Sequence, residues 1–326
     1  MPTEQPPFFV VGVDRSGTTL LRLVLDRGDV AIPPESMFLA DFAPVRRDGG
    51  LDDADAAAAF MRRVWTHPRV RAWNLPGNPP QVPLGLTHEQ AYRFAVEAPF
   101  RAYALAQGKD RWADKTPYYL GQLDELDAVW PEARFVVLVR DGRDVALSLL
   151  GLPFGPNNVW AAARFWARGI RRGRDAAERY ADRTITVRYE DLCADPKAVA
   201  DRLCSFLGLR FEDDMLAIEE TDPAKLDRDK TAWFTGLRAG INASAVGRWR
   251  TELSPRDQAL FAALAGPELE AAGYEPGAAQ APTPVASALY RAQDTAMKAV
   301  NFARLRLVAE RGREVRYVLG RKLGRG

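Results

Sequence analysis

Short apolar runs alternate with amphipathic segments along the chain up to residue 209. Three runs rich in β-branched and aromatic residues predict strands: FFVVGV, ARFVVLVR (133–140) and TITVRY (184–189). FFVVGV has few polar atoms, which suits a buried parallel strand, and ARFVVLVR is predicted to be a second buried strand. After the first run, four apolar residues share one helical face: Leu20, Leu21, Val24 and Leu25. KAVADRLCSFLGL (197–209) has the same helical spacing and ends at Gly208. This alternation predicts a parallel sheet covered by helices.

Residues 40–110 follow a different pattern. They contain helical stretches such as DADAAAAFMRRVW and a loop, NLPGNPPQVPLG. Binding residues often lie on loops that a rigid scaffold holds, so we interpret this segment as an insertion that shapes a substrate site. An appendage that only packs against the core is the alternative. GYEPGAAQAPTPVAS (273–287) has the composition of a linker, so we predict one domain over 1–275 and a linker with a helical tail over 276–326.

The tail is basic and has one apolar helical face. Residues 287–326 contain ten Lys and Arg against three Asp and Glu, a local charge of +7. Apolar positions recur three, four or seven residues apart: Leu289, Ala296, Met297, Val300, Ala303, Leu307 and Val308. Two interpretations remain open. The helix packs on its own domain or on a second subunit in a homodimer, or it is a peripheral anchor that the basic residues draw to anionic lipid.

Composition excludes several classes of function. A chain of 326 residues that is 47% hydrophobic and 27% charged is ordinary for a globular enzyme, and a net charge of +2 implies no general nucleic-acid affinity. Two cysteines, Cys193 and Cys204, form neither a disulfide framework nor a metal cluster, which fits a reducing compartment. The N-terminus lacks a signal-peptide pattern and no run of 18 apolar residues exists. We therefore expect a cytoplasmic protein without a metal, with peripheral contact at the inner membrane face left open.

The segment between the first strand and the first helix has the outline of a phosphate-binding loop. Gly12 and Gly17 lie five apart, as in G-x-x-x-x-G-K-S/T. The backbone N–H groups of such a turn, and of the helix that follows, converge on an oxyanion. Thr18 and Thr19 add hydroxyl donors, and the guanidinium of Arg15 can bind two oxygens of one anion. Thr18 stands where a nucleotide triphosphatase has the Lys that reaches the β- and γ-phosphates.

The stretch PPFFVVGVDRSGTTLLRLVLDRGDVAIPPESMFL resembles the 5′-phosphosulfate loop of sulfotransferases that use 3′-phosphoadenosine 5′-phosphosulfate (PAPS). The resemblance implies an α/β fold, a P-loop-like three-layer sandwich with a central parallel sheet. It implies PAPS as donor and 3′-phosphoadenosine 5′-phosphate (PAP) as product. It also implies which residues hold the 5′ end of the donor: Arg15, Ser16, Gly17, Thr18 and Thr19. Arg15 is in addition a candidate catalytic group.

Three later segments extend the resemblance. RFVVLVRDGRDVALSLL resembles the family's 3′-phosphate element, whose Arg and Ser, eight apart, match Arg140 and Ser148. An Arg that ends a strand supplies a charge-assisted hydrogen bond, and a Ser in the next helix supplies another. VRYEDLCADP resembles a segment that places a Tyr beside the nucleotide, here Tyr189. GLRAGINASAVGRWRTELSP (236–255) resembles the loop that closes over the 3′-phosphate, with Arg238 and Arg248 as candidate contacts.

Sulfuryl transfer to an alcohol requires a base for the hydroxyl proton, stabilisation of the departing phosphate, and in-line positioning. Cytosolic sulfotransferases usually use a His base, but His67 and His88 both lie in the insertion, away from the motifs. Glu35 matches the general base of the Golgi-type tyrosyl-protein and heparan sulfotransferases. RWADKTPYYL resembles the family's Glu-Lys-Thr-Pro element, so Lys115 is expected to stabilise the transition state, with Asp114 in place of Glu.

The chain departs from the family at Gly247, where tyrosyl-protein sulfotransferases have a catalytic Ser. Either a backbone N–H substitutes for the hydroxyl, or this chain handles its leaving group differently. The acceptor stays open among sugar, lipid, small metabolite and peptide. We predict a metal-independent sulfotransferase that moves a sulfuryl group from PAPS to a hydroxyl or amine acceptor. A nucleotide kinase or triphosphatase, and a non-catalytic PAPS- or membrane-binding adaptor, are the alternatives.

Overall fold

The protein's structure, a computed structural model, describes residues 5–218 and 240–309, with side chains described as far as residue 304. The described residues belong to two compact units whose segments alternate along the chain. The first unit comprises Met1–Gly12, Gly17–Leu138 and Ala176–Asn242, and the second comprises Val13–Ser16, Val139–Asp175 and Ala243–Gly326. The sequence predicts a boundary between the domain and its tail at residue 275. That boundary does not coincide with the division into these two units, and it stays a prediction.

A five-stranded sheet forms the centre of the first unit. Its strands are β1 (Phe8–Gly12), β2 (Val30–Ala31), β3 (Arg111–Lys115), β4 (Arg134–Val139) and β5 (Thr184–Arg188), in the spatial order β2-β3-β1-β4-β5. β1 runs parallel to β3 and β4, with Phe9 opposite both Asp114 and Phe135, and β2 runs parallel to β3. Both faces of a central parallel strand are buried, which explains the continuous apolar runs of β1 and β4.

Thirteen α-helices lie within the described residues. They are α1 (Thr18–Asp26), α2 (Leu39–Asp48), α3 (Ala54–Trp65), α4 (Pro68–Ala72), α5 (His88–Ala106), α6 (Leu123–Val129), α7 (Gly142–Leu149), α8 (Val159–Arg179), α9 (Tyr189–Ala194), α10 (Pro196–Leu207), α11 (Trp249–Glu252), α12 (Pro255–Ala271) and α13 (Pro284–Ala309). Short 3-10 turns occupy Pro117–Gly121, Ala181–Arg183 and Asp213–Leu216. The predicted α/β fold with a central parallel sheet is confirmed.

The structure agrees with the predicted elements and adds to them. The three predicted strands are β1, β4 and β5, and α10 ends at Gly208 in the left-handed conformation that the sequence indicates. The structure adds β3, which the sequence pattern does not predict because RWADK carries three charged residues and lacks an apolar run. The segment after β5 is a helix that begins at Tyr189.

The insertion contains α2 to α5, which share an aromatic core in the first unit. The ring of Phe38 lies within contact distance of four other rings: Phe42, His67, Trp73 and Phe100. Aromatic packing of this kind contributes more than area burial alone. The insertion is therefore a folded subregion whose aromatic core continues through Phe100 to Trp112 of β3.

In the second unit, α7 packs closely on α8 and α12. A Cβ on Gly142 would lie 2.4 Å from the ring of Trp166 and 2.6 Å from that of Phe261. Trp166 also donates from Nε1 to the carbonyl oxygen of Arg140 at 2.9 Å. These contacts hold the turn between β4 and α7, where the sequence places the 3′-phosphate element.

Two features are absent from the described ranges. No helix there is long and apolar enough to cross a membrane. No group of His, Cys, Asp and Glu side chains in that part of the chain is arranged to hold a metal ion.

Candidate active site

The turn between β1 and α1 has an unusual backbone. Arg15 has a φ of 72° and Gly17 a φ of 96°, both in the left-handed region. Side chains rarely adopt this region, so Arg15 stores strain of the kind that is common at functional sites. At Gly17 the ring of Tyr189 also excludes a side chain, because a Cβ there would lie 2.3 Å from Tyr189 Cδ2. The glycine therefore serves both the turn and the packing of Tyr189 against it.

Ser16 lies in the same turn with an unsatisfied hydroxyl. The residue is fully buried, and its Oγ has no hydrogen-bond partner among the described residues. A buried polar group without a partner costs about 1–3 kcal/mol. A phosphosulfate oxygen would satisfy this donor, and the N-terminus of α1 follows directly with buried Thr18 and half-buried Thr19. The residues present therefore fit an anionic donor group.

Lys115 and Glu35 form a close ion pair in the first unit. Lys115 is the last residue of β3, and its Nζ donates to Glu35 Oε1 at 2.8 Å and to Thr19 Oγ1 at 3.3 Å. The side chains of Lys115 and Glu35 are only 4% and 11% exposed. Because β2 and β3 are parallel neighbours, the segments that follow their carboxyl ends meet at one edge of the sheet. This topology brings together the predicted base and the predicted transition-state cation.

Hydroxyl groups hold the backbone beside Glu35. Ser36 donates from its backbone N to Thr116 Oγ1 at 3.1 Å, and its own hydroxyl lies 2.9 Å from the Tyr119 hydroxyl. The Tyr119 oxygen also accepts from the Leu39 backbone N at 3.1 Å. Met37, between these residues, has a φ of 54°. The segment after β3 thus fixes the turn that carries Glu35.

Asp114 lies behind this pair and is fully buried. Burial raises the pKa of Asp114 to about 7, while the hydroxyls of Thr116 and Ser36 and the Lys115 ammonium oppose the rise. The nearby Glu35 carboxylate adds to it. Asp114 therefore holds a proton over part of the pH range in which an ordinary Asp is ionised.

The second unit contains three more of the predicted residues in mutual contact. Arg140, directly after β4, donates from Nη1 to the Arg15 carbonyl oxygen at 3.1 Å and from Nη2 to the Ala245 carbonyl oxygen. Ser148, on α7, accepts from Arg15 Nε at 2.9 Å. Arg15 is thus bonded through its backbone to Arg140 and through its side chain to Ser148. The two predicted elements meet at this residue.

The structure also shows what surrounds Gly247. Its backbone N donates to Asp144 Oδ2 at 2.6 Å, and Trp249 N donates to Asp144 Oδ1 at 2.9 Å. Burial raises the pKa of Asp144, and these two backbone hydrogen bonds oppose the rise. The Gly247 amide is thus already bonded to a carboxylate. This favours the alternative in which the chain handles its leaving group without that N–H.

The remaining candidates have varied surroundings. Tyr189 is buried beside Gly17, while Arg238 lies outside the described residues. Arg248 is exposed and pairs with Glu252, its Nε lying 2.7 Å from Oε1. Its predicted contact with the 3′-phosphate stays a prediction. Both histidines have polar partners within the insertion: the His67 ring lies 3.3 Å from Asp41 Oδ2, and the His88 ring contacts backbone groups of Leu51 and Arg46.

Comparison with known proteins decides the family. The profile of the Sulfotransferase family matches residues 6–213, and that of the Sulfotransferase domain matches residues 166–272. The first match covers more than half of the chain. This protein belongs to the sulfotransferase family. The resemblance to sulfotransferases that the sequence motifs carry is confirmed at the level of the family, and the enzyme class is that of sulfuryl transfer.

Individual relatives extend over most of the sulfotransferase. Nodulation protein NoeE of Sinorhizobium fredii is 28% identical over 298 residues, which are 82% of this chain and 65% of that protein. Protein-tyrosine sulfotransferase 1 of Danio rerio is 24% identical over 294 residues, 84% of this chain and 74% of that protein. The sulfotransferase domain of the Synechococcus PCC 7002 olefin synthase has the same fold, with a TM-score of 0.55 at 23% identity over 84% of this chain and 98% of that one.

Sequence reasoning missed several residues that the sulfotransferase places beside the predicted ones. Ser36, Thr116 and Tyr119 fix the turn at Glu35, and Asp144 binds the Gly247 amide. A partial signal was present, because Ser36 adjoins Glu35 and Thr116 adjoins Lys115 in the quoted motifs. The contacts themselves depend on strand order, which a single sequence does not display.

Proposed function

We propose that this sulfotransferase moves a sulfuryl group from PAPS to a hydroxyl or amine acceptor, with Glu35 as general base and Lys115 as the cation that stabilises the transition state. The observation that carries the proposal is the 2.8 Å contact between Lys115 Nζ and Glu35 Oε1. The same ammonium lies 3.3 Å from the hydroxyl of Thr19, a residue of the phosphate-binding turn. The proposed base, the proposed cation and Thr19 are therefore adjacent within the first unit.

PAPS, when bound, supplies the sulfuryl group and a phosphate leaving group. Residues Arg15 to Thr19 would hold its 5′ end, because this turn combines backbone donors, the unsatisfied Ser16 hydroxyl and a helix N-terminus. Arg140 and Ser148 would hold the 3′-phosphate through charge-assisted and hydroxyl hydrogen bonds. The hydrogen bond between Arg15 and Ser148 supports both assignments, because it joins the predicted 5′-phosphosulfate loop directly to the predicted 3′-phosphate element.

Glu35 and Lys115 have complementary tasks. An ammonium at hydrogen-bond distance favours the carboxylate form of its partner, so Glu35 is ready to accept the proton of the acceptor hydroxyl. As that proton moves onto Glu35, the attraction between the pair weakens. The Lys115 ammonium can then turn its charge toward the oxygen on which negative charge develops. Donors of this kind contribute about 3–4 kcal/mol in other enzymes.

We propose the acceptor only as a chemical class, a hydroxyl or an amine. One relative is named for protein tyrosine and another for nodulation, so the relatives alone do not select one acceptor chemistry. The insertion has its own aromatic core and adjoins the turn that carries Glu35. We propose that it selects the acceptor. A cytoplasmic location stays a prediction of the sequence.

Donor choice tests the proposed function directly. Calorimetry with PAPS, with adenosine 5′-phosphosulfate and with ATP plus Mg²⁺ separates the candidates, because only a PAPS enzyme requires the 3′-phosphate. We expect PAPS to bind most tightly, without Mg²⁺. Labelled PAPS with a panel of hydroxyl and amine acceptors should then give labelled product with wild type. Preference for ATP with Mg²⁺ would support the kinase alternative and overturn the proposal.

A further inference from the structure

Helix α13 turns a polar side toward the rest of the second unit. Asp294 is buried and accepts from the backbone N and the Nδ2 of Asn157, at 2.9 and 3.1 Å. Asn301 Nδ2 donates to Asn157 Oδ1 at 3.0 Å, and Asn158 Nδ2 donates to the Tyr290 carbonyl oxygen at 2.8 Å. The helix is thus held by hydrogen bonds along one side.

Six apolar residues of α13 face away from these contacts, whereas Tyr290 and Phe302 are half-buried. Val285 is 70% exposed, Leu289 66% and Val300 42%, and three alanines between and beyond them are also exposed. At 3.6 residues per turn, spacings of three and four residues place all six on one face. We name this face the α13 stripe: Val285, Leu289, Ala292, Ala296, Val300 and Ala303. Met297, at its border, is 38% exposed.

This arrangement separates the apolar face of α13 from the attachment of the helix to its own unit. The predicted apolar face exists, but between residues 289 and 303 it does not pack on its own domain. The reason is that Asp294, Asn157 and Asn301 supply the attachment instead. Leu307 and Val308 lie beyond the described side chains. An apolar stripe that stays exposed along a helix marks an interaction surface more often than a chance surface feature.

The small apolar area of the stripe argues against a second copy of this chain as the occupant. Half of the stripe consists of alanine, which offers little apolar area for a specific interface of about 1,200 Å² or more.

An anionic lipid surface fits both features of the helix. The apolar face of an amphipathic helix enters the boundary between headgroups and acyl chains. Basic residues near the surface are attracted to anionic headgroups. On α13, Arg291 and Arg304 are exposed, and six Arg and Lys residues follow between 311 and 325.

We propose that the α13 stripe, together with the exposed Arg291 and Arg304 on the same helix, docks this protein on an anionic lipid surface. The proposal does not depend on the donor, the acceptor or the catalytic roles. It rests on the exposure of the stripe, on the polar attachment of the opposite side and on the charge of these two arginines.

Vesicle sedimentation of the full chain tests the proposal. The probes are phosphatidylcholine vesicles with and without phosphatidylserine, at low and at high salt. We expect the protein to sediment with phosphatidylserine vesicles at low salt and to be released as salt rises. The double variant Leu289→Gln/Val300→Gln should weaken this binding about tenfold or more, because two apolar side chains no longer enter the lipid.

The chain offers a matched control. Leu84 and Leu105 are 84% and 68% exposed and lie outside α13. Leu84→Gln/Leu105→Gln removes a similar apolar area without a charge change and should leave vesicle binding at the wild-type level. Circular dichroism of both double variants checks that they fold, which is expected because all four side chains are exposed.

Three results would overturn the proposal. Wild-type protein that stays in the supernatant with phosphatidylserine vesicles removes the lipid surface as partner. Equal loss of binding in the α13 variant and in the Leu84/Leu105 control removes the stripe as the site. A dimer in sedimentation equilibrium that only the α13 variant abolishes, without vesicle binding, would assign the stripe to a second copy.

Discussion

Lys115 Nζ lies 2.8 Å from Glu35 Oε1, and both side chains are largely withdrawn from solvent. Lys115 ends β3, while Glu35 follows β2, so the contact exists only because these two strands are parallel neighbours. The pair joins the proposed base to the proposed transition-state cation. Its two members therefore cannot be changed independently.

The first prediction is a double-mutant cycle on this pair. Lys115→Met leaves Glu35 in a mostly buried position without its ammonium, and should lower the free energy of unfolding by about 3 kcal/mol. Lys115→Met/Glu35→Gln removes the stranded charge and should recover most of that loss in urea unfolding, while turnover stays lost. Strictly additive stability losses in the cycle would contradict the coupling.

The second prediction concerns the 3′-phosphate. Arg140→Ala should weaken binding of PAPS by about 1.5–3 kcal/mol, because a hydrogen bond to a charged group is lost. Adenosine 5′-phosphosulfate lacks this phosphate and should be affected much less. Calorimetry with both donors measures the difference. Equal weakening would mean that Arg140 acts only by supporting the Arg15 carbonyl group.

The third prediction uses the buried carboxyl of Asp114. Its folded-state pKa is raised from 3.8 to about 7, so the folded protein binds a proton that the unfolded chain has lost. Between these two values stability falls as pH rises, by up to on the order of 4 kcal/mol from this group. Asp114→Asn should remove that contribution.

Urea unfolding of wild type and of Asp114→Asn, at several pH values between 4.5 and 8, checks this prediction. The range extends to both sides of the raised pKa of Asp114. Wild type should lose more stability than Asp114→Asn as the pH increases. Parallel curves for the two proteins would show that Asp114 is not the titrating group.

The fourth prediction concerns Gly247. Its φ is 72°, and a Cβ there would lie 2.8 Å from Arg250 Nη1, so Gly247→Ser is strained. We expect a loss of stability of about 1–2 kcal/mol in thermal unfolding and no gain in turnover. Gly240→Ser, which has the same φ of 72°, is the matched backbone control. Higher turnover in Gly247→Ser alone would show that a hydroxyl at this position assists the leaving group.

Much of the fold was predictable, because β1 and β4 are apolar runs, β5 is rich in β-branched residues, and the helices between them have clear periodicity. β3 was not predictable, because the charged residues Arg111, Asp114 and Lys115 interrupt the apolar pattern of a strand that its neighbours bury. Periodicity likewise identified the apolar face of α13. It did not tell which side of the helix would turn inward, because that depends on Asn157, more than a hundred residues earlier in the chain.

The candidate site was predictable residue by residue but not as an arrangement. Motif resemblance selected Glu35 and Lys115 separately, and their ion pair follows from the strand order β2-β3-β1. The strained φ of Arg15 and its bond to Ser148 likewise have no local signal in the sequence. Chain order does not reveal which strands become neighbours, so contacts between distant segments had to come from the structure.

The central claim, that Glu35 removes the acceptor proton, is tested most directly by Glu35→Gln in single-turnover kinetics with labelled PAPS and an acceptor from the panel. The amide keeps the shape of the side chain and can still accept from Lys115, but it cannot take a proton. We predict a fall in the rate of transfer of about 100-fold or more, with the PAPS dissociation constant close to wild type. Glu132→Gln, a change at an ion-paired Glu on the surface, should leave the rate unchanged. A near-normal transfer rate in Glu35→Gln would contradict the account and require another base.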